Sequence, residues 1–371
     1  MKIRSISTAA IACGLLSGCA SPLLDYSTDV PALQLRVVGQ PGVEDGRARF
    51  REMFCTLLST ASSDQADVDC DRYLVRLADE PPAPRPAQPL PRHDPHLRIL
   101  FVPGAFGECF ADIAPPYPEA VARLSQLGYM FDALPVSGRS GTTHNATLIA
   151  QALVAEPNLD DHRLVLVGYS KGISDILEFL VDFPDTAKRV DAVVSIAGTV
   201  NGSPVADAYA GAYGMVSGID LAACDSGDRG VVDSLRVGPR MNWLAHHRLP
   251  ADIRYFSLAA IARQEDIGRL MYVTKKRLAR SEPLHDGQVP FFHQIVPGST
   301  LLGYAYGDHW AVALPLQEKW PYWAGNSAGS QFPRAELLEA IVLYLVEALG
   351  PEAGREIRRS GLNALSDHVA R

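Results

Sequence analysis

Two hydrophobic periods alternate along this chain. Short, nearly unbroken apolar runs recur at Leu97 to Pro103, Met130 to Val136, Arg163 onward (R-L-V-L-V), Val190 to Ala197, Ile253 to Ala259 and Thr300 to Tyr306. Runs this short, with no polar alternation, predict strands buried on both faces. Between them the spacing becomes helical, at Tyr117 to Leu127, Thr143 to Ala155, Asp266 to Leu278 and Glu336 to Leu349. Ile173, Ile176, Leu177, Leu180 and Val181 mark another helix ahead of Phe183-Pro184. Strands and helices alternating at this interval predict an α/β fold with a mostly parallel sheet covered on both faces.

The rhythm is absent in four places. Residues 19–79 carry a short strand at Leu33 to Val38 and a helix at Arg47 to Leu58, with Phe50, Met53, Phe54, Leu57 and Leu58 on one face. With Tyr73, Leu74, Val75 and Leu77 they form an N-terminal element too small to bury a core alone, expected to dock on the main domain. Residues 80–95 hold seven prolines and no apolar period, which predicts an extended, exposed linker before a main domain at 96–350. From Gly198 to about Pro250 the sequence is rich in Gly, Ala and Asp, and is expected to form an irregular cap or lid. The tail at 351–371 has helical character and no evident site.

At 371 residues, 47% hydrophobic and 20% charged, the chain suffices for one large domain with a small extension. A formal charge of -8, with scattered lysines and arginines, excludes a nucleic-acid binder. Lys2 and Arg4 precede an apolar stretch from Ile6 to Leu16 that ends in Leu16-Ser17-Gly18-Cys19, the layout of a secretory signal over residues 1–18. That ending resembles the bacterial lipobox. The resemblance implies that Cys19 becomes a diacylated first residue, anchoring the protein to the cell envelope. Ser21 implies the outer membrane of a Gram-negative cell, facing the periplasm or the surface. Export makes the remaining cysteines disulfide candidates, Cys55 with Cys70 and Cys109 with Cys224, the alternative being free buried thiols. No cysteine or histidine spacing suggests a metal, and no cofactor is expected.

The run from Arg163 ends in Gly168-Tyr169-Ser170-Lys171-Gly172, a G-x-S-x-G pattern, and a helix follows. A serine at a sharp strand-to-helix turn needs small neighbours where the backbone crowds itself. Such a serine needs a base, and the base an orienting acid, on loops at the carboxyl ends of later strands. Asp286, in His285-Asp286-Gly287-Gln288-Val289-Pro290, and His309, in Gly307-Asp308-His309-Trp310, have that order and placement. Asp308, Asp191, His285 and His293 are the rivals, and His144 and Asn145 could border the cleft. The oxyanion would be held by the N–H of Lys171 and that of Ala105, with Phe106 as the alternative to Ala105. Lys171 opens a helix, where positive charge opposes the dipole; its side chain is expected in solvent or facing an anionic substrate group.

Four blocks carry a resemblance to the α/β-hydrolase fold and, within it, to bacterial lipases and esterases. They are F-V-P-G-A-F-G at Phe101 to Gly107, G-Y-S-K-G, A-G-T-V-N-G-S-P-V-A-D at Ala197 to Asp207, and H-D-G-Q-V-P at His285 to Pro290. Val200-Asn201 stand where the lipases have Pro-His, and Ala311 where calcium-dependent lipases have a ligating acid, so a lipase-type calcium is not expected. The resemblance implies a serine hydrolase acting on acyl esters, lipid esters included, of moderate or long chain. The excursion from Gly198 to Pro250, with Phe291-Phe292, would wall the acyl pocket. Acyl transfer or thioester hydrolysis on the same triad, and a noncatalytic envelope lipoprotein, are the alternatives.

Overall fold

A computed structural model describes residues 42–61, 69–76, 80–83, 85–90, 97–156, 162–216, 225–280, 282–324 and 332–350. Seven strands form one parallel sheet: β1 (Glu44–Asp45), β2 (Leu97–Val102), β3 (Met130–Ala133), β4 (Arg163–Tyr169), β5 (Val190–Ile196), β6 (Arg254–Ile261) and β7 (Thr300–Tyr306). Their order is β1-β7-β6-β5-β4-β2-β3, so the serine-bearing strand β4 lies inside the sheet, between β5 and β2. The helices are α1 (Arg47–Ala61), α2 (Gly107–Phe110), α3 (Pro118–Gln126), α4 (Thr142–Ala155), α5 (Lys171–Asp182), α6 (Pro184–Ala187), α7 (Pro204–Val216), α8 (Val231–Ser234), α9 (Val237–His246), α10 (Tyr272–Leu278), α11 (Leu316–Lys319), α12 (Pro321–Ala324) and α13 (Arg334–Leu349).

The unbroken apolar strands are explained by two cores. Alternate side chains point to opposite faces of a strand. Val165, Val167 and Tyr169 of β4 therefore join Phe50 of α1 and Ile341 of α13 on one side. Leu164 and Leu166 join Ile149 of α4 and Leu177 of α5 on the other. A strand covered on both faces has no polar side to display.

The N-terminal element is docked on the main domain and shares its first core. Phe50, Met53 and Phe54 are fully buried, and β1 pairs with β7 through Glu44 and Asp45. Arg51 explains the fit: its guanidinium donates to the carbonyls of Leu74 (2.7 Å) and Val75 (3.0 Å) and pairs with Asp71 and the buried Glu80. A disulfide joins Cys55 to Cys70 across the same junction. The strand expected at Leu33 to Val38, the signal segment with Cys19, and the tail lie outside the described residues. The proline-rich stretch is held against the domain where it is described. Arg49 donates to the carbonyls of Arg85 (2.7 Å) and Pro86 (3.2 Å), and Ala87 and Leu90 pack on the first core.

Two expectations change. The excursion after Gly198 is largely helical, as α7, α8 and α9. Ser203 starts α7 by accepting the N–H of Val205 at 3.1 Å, a local cap that composition alone does not disclose. The helix expected over Asp266 to Leu278 is confined to α10, after a 3-10 turn at Arg269–Met271. The N–H of Gly268 is drawn instead to the Asp308 carboxylate at 2.9 Å.

Candidate active site

The backbone fixes the serine first. Ser170 has φ 54° and ψ -122°, a conformation that L-residues rarely adopt. It is held in register because its N–H donates to Ile196 O (3.1 Å) and its carbonyl accepts from Thr199 N (3.1 Å). Both motif glycines are required by close approach. A Cβ on Gly172 would lie 2.0 Å from Val102 O, and one on Gly168 would lie 2.6 Å from the backbone of Ile173. Gly104 is confined likewise, its absent Cβ leaving room for the Ser170 side chain, 2.9 Å from where that atom would sit.

The loops after β6 and β7 bring the expected acid and base to this serine. His309 Nε2 is 2.8 Å from Ser170 Oγ, and His309 Nδ1 is 2.7 Å from Asp286 Oδ2. Asp286 is fully buried, and its Oδ1 accepts the N–H groups of Gln288 (2.8 Å) and Val289 (2.7 Å). Gly287, at φ +99°, allows the chain to fold back over the carboxylate. Three supports were not anticipated. The Gln294 amide donates to Asp286 Oδ2 at 3.2 Å, the Tyr169 hydroxyl donates to the His309 carbonyl at 2.7 Å, and the His309 N–H donates to the Asp286 carbonyl at 2.8 Å. Such partners fix the ring orientation, leaving Nδ1–H toward Asp286 and Nε2 able to accept the serine proton.

The rivals have other partners. Asp308 is buried, accepts the N–H groups of Gly268, Trp310 and Ala311, and is pushed up to about 6 by burial. His285 accepts the N–H of Gly287 at Nδ1. His293 meets the Gly202 carbonyl through Nδ1 (2.9 Å), and burial lowers its pKa to about 4, so it is neutral. Asp191 accepts the N–H of Leu164, at the start of β4 and away from the cleft end. His144 and Asn145 lie within α4, where Asn145 is buried.

Among the oxyanion candidates, Phe106 donates its N–H to Gly138 O at 2.9 Å, which removes it as a donor. Among the described residues, the N–H groups of Ala105 and Lys171 have no such backbone acceptor, and the latter is an unpaired donor in the first turn of α5. The Lys171 side chain is neither solvated nor turned to the cleft. It is buried and paired with Asp175, Nζ to Oδ1 at 2.5 Å. Burial raises the Asp175 pKa, and Lys171 and Asn145 draw it back. Asn145 donates to Asp175 (2.8 Å) and to the carbonyl of Ser137 (2.9 Å), and accepts the Ser137 N–H (3.1 Å). The next residue, Gly138, holds Phe106. One polar chain therefore ties the start of α5 to the loop carrying Ala105.

A cavity of about 200 Å³ opens beside Ser170 and His309. Its walls come from the segment after β2, with Phe106, Phe110 and Pro116, from the segment after β7, with Trp310, Leu316 and Trp320, and from Leu270 after β6. This corrects the expectation that the excursion and Phe291-Phe292 wall the pocket: no described residue of either lines it. Phe291 packs against Tyr304 instead. Cys109 of α2 is disulfide-bonded, and its expected partner Cys224 lies outside the described residues. Among the described residues, no group of three or more His, Cys, Asp or Glu side chains is placed to hold a metal ion.

No protein-family model matches the chain, and no curated protein matches its sequence. Among solved structures it is similar to the metagenomic carboxyl esterase MGS0156, with 34% identity and a TM-score of 0.75, over 90% of this chain and 99% of that one. More distant likenesses are the mature Bacillus licheniformis lipase BlEst2 (22% identity, TM-score 0.47, 60% of this chain and 89% of that one) and the Legionella pneumophila phospholipase PlaB (17%, 0.39, 54% and 45%).

Two outcomes follow from these contacts. Asp175→Ala strands the buried Lys171 ammonium and should lower unfolding stability by about 3–5 kcal/mol, whereas Lys171→Met with Asp175→Leu should recover much of that loss. Denaturant titration of both variants checks this, and equal destabilisation would show that packing rather than charge governs the site. The pKa of His293, about 4, lies below its unfolded value, so its contribution to stability is present above about pH 6.5 and is lost as pH falls through about 4. His293→Asn, which keeps a donor for Gly202, should flatten the acid limb of stability by up to about 1.4 kcal/mol per pH unit. An unchanged limb would place the titration elsewhere.

Proposed function

The chain belongs to the carboxyl esterases of the α/β-hydrolase fold, and from that premise we propose that it cleaves acyl esters through Ser170, His309 and Asp286. The observation that carries this reading is the hydrogen-bonded series from Asp286 Oδ2 through both nitrogens of His309 to Ser170 Oγ, at the mouth of an apolar cavity. Ser170 Oγ attacks the ester carbonyl as His309 Nε2 takes its proton. Asp286 holds the ring and stabilises the imidazolium. The N–H groups of Lys171 and Ala105 bind the oxyanion, where charge develops away from water. Collapse returns the proton from His309 to the leaving alcohol, and water attacks the acyl-enzyme by the same route.

The cavity sets the acyl length. A 150 Å³ apolar cavity holds a benzene ring, so about 200 Å³ suits an acyl chain of roughly four to eight carbons. This is shorter than the moderate-to-long chains expected from the sequence. At the N-terminus, Leu16-Ser17-Gly18-Cys19 supports processing at Cys19 and lipid anchoring in the cell envelope, and Ser21 supports the outer membrane.

On p-nitrophenyl butyrate, Ser170→Ala and His309→Ala should each lower kcat by roughly 10⁶, Asp286→Ala by roughly 10⁴, and the Ser170/His309 double variant by no more than either single one. Additive losses would contradict a single catalytic unit. Turnover across acyl lengths should peak at roughly four to eight carbons, and a maximum at sixteen would contradict the cavity assignment. Cys19→Ala should abolish metabolic labelling by a fatty acid; retained labelling would contradict the anchor.

A further inference from the structure

The exposed apolar side chains of this protein are concentrated rather than scattered. Of the eight large ones exposed among the described residues, six stand on segments bounding the cavity mouth: Phe110, Ile113, Leu270, Tyr272, Val273 and Tyr322. Phe110 (44% exposed) and Leu270 (49%) line the cavity and reach solvent at once, so they form its lip. Phe110 meets Trp320 edge-on, with ring centroids 6.4 Å apart, and the Arg269 guanidinium lies 4.3 Å from the Tyr322 ring, which joins the three segments into one rim. A grouped apolar surface of this kind marks an interaction site.

One segment of the rim, after Glu265 and Asp266, is cationic and points to the partner. From Ile267 to Arg280 there are five cations and no acid, in a chain whose formal charge is -8. Lys275 turns its ammonium inward to the carbonyls of Gln264 and Ile267, and Arg277 is half-buried, but Arg269, Lys276 and Arg280 are exposed. Among them stand Leu270, Tyr272 (51% exposed) and Val273 (60%), and Lys276 lies over the Tyr272 ring at 4.4 Å. Cations interleaved with apolar and aromatic tips suit an anionic bilayer, where the apolar tips enter the headgroup boundary and the cations meet lipid phosphates. An acidic protein would match the charge but leave the apolar tips without a hydrocarbon phase.

We propose that the rim formed by Phe110, Ile113, Leu270–Val273, Lys276, Arg280 and Tyr322 docks the cavity mouth on an anionic phospholipid surface. The proposal rests on the ester-hydrolase reading for its purpose, since docking places the mouth of the acyl cavity against esters held in lipid. It does not depend on the anchor at Cys19. A tether alone brings the domain near a membrane in any orientation, whereas this rim selects one.

The test compares the full-length protein with the variant Val273→Asp/Lys276→Glu/Arg280→Glu, none of whose positions lines the cavity. The probe is quenching of tryptophan fluorescence by vesicles with brominated acyl chains, in phosphatidylglycerol or in phosphatidylcholine. Trp310 and Trp320 at the mouth report contact that a tethered but undocked domain does not make. Wild type should be quenched strongly by phosphatidylglycerol and weakly by phosphatidylcholine. The variant, with unchanged melting, should need at least roughly tenfold more phosphatidylglycerol for the same quenching. Turnover of soluble p-nitrophenyl butyrate should be equal in the two proteins. Quenching that ignores the headgroup, or that survives in the variant, would overturn the proposal. So would a wild type unaffected by lipid that sediments as a dimer and becomes monomeric in the variant, which would assign the rim to a second copy. Lipid quenching without ester turnover would leave the docking intact and defeat the catalytic reading instead.

Discussion

Everything at the candidate site depends on one strained residue. Ser170 holds a positive φ while its N–H donates to Ile196 at the end of β5 and its carbonyl accepts from Thr199 in the turn that follows that strand. Such a conformation costs on the order of 1–3 kcal/mol and persists only where its surroundings over-determine it. Here they do. Gly168 and Gly172 admit backbone at distances that a side chain would forbid, and Gly104 gives way to the serine itself. The turn presents Oγ to His309 and places the Lys171 N–H at the start of α5, so one backbone choice positions the proposed nucleophile and the proposed oxyanion donor together.

The molecule supports that turn from two directions. On the acid side, Asp286 is held by two backbone N–H groups and the Gln294 amide, and Tyr169 of the serine's own strand secures the His309 carbonyl. On the oxyanion side, Lys171, Asp175, Asn145 and Ser137 form a buried series that ends beside Gly138, whose carbonyl restrains Phe106. Buried polar groups are stabilising only when their partners are complete. Completeness here couples the start of α5 to the loop after β2, so the two candidate oxyanion donors share a frame rather than depending on separate loops.

Much of this was legible in the chain, for physical reasons. Strand β4 shows in its apolar run because both its faces are covered, and the G-x-S-x-G pattern shows because close approach admits only glycine at its ends. Asp286 and His309 could be placed because loops at the carboxyl ends of parallel strands converge there. What escaped is non-local. Excluding Phe106 takes a carbonyl from Gly138, over thirty residues on. The cavity walls come mainly from segments after β2 and β7, about two hundred residues apart in sequence, and no local pattern pairs Phe110 with Trp320. The docking of α1 follows from its apolar face, but the meeting of Arg51 with Leu74, Val75 and Glu80 that secures it has no local signal. One signal was present and unused: Lys171 and Asp175 stand four apart on a helix, the spacing at which opposite charges meet.

Ser170, raised by this turn and deprotonated through His309, is the residue proposed to carry the acyl group. Peptide mass analysis after brief treatment with a fluorophosphonate tests it directly. One stoichiometric adduct is expected, on the peptide containing Ser170, and no adduct in His309→Ala over the same interval. An enzyme that turns over esters while Ser170 remains unmodified, or an adduct on a different residue, would contradict it.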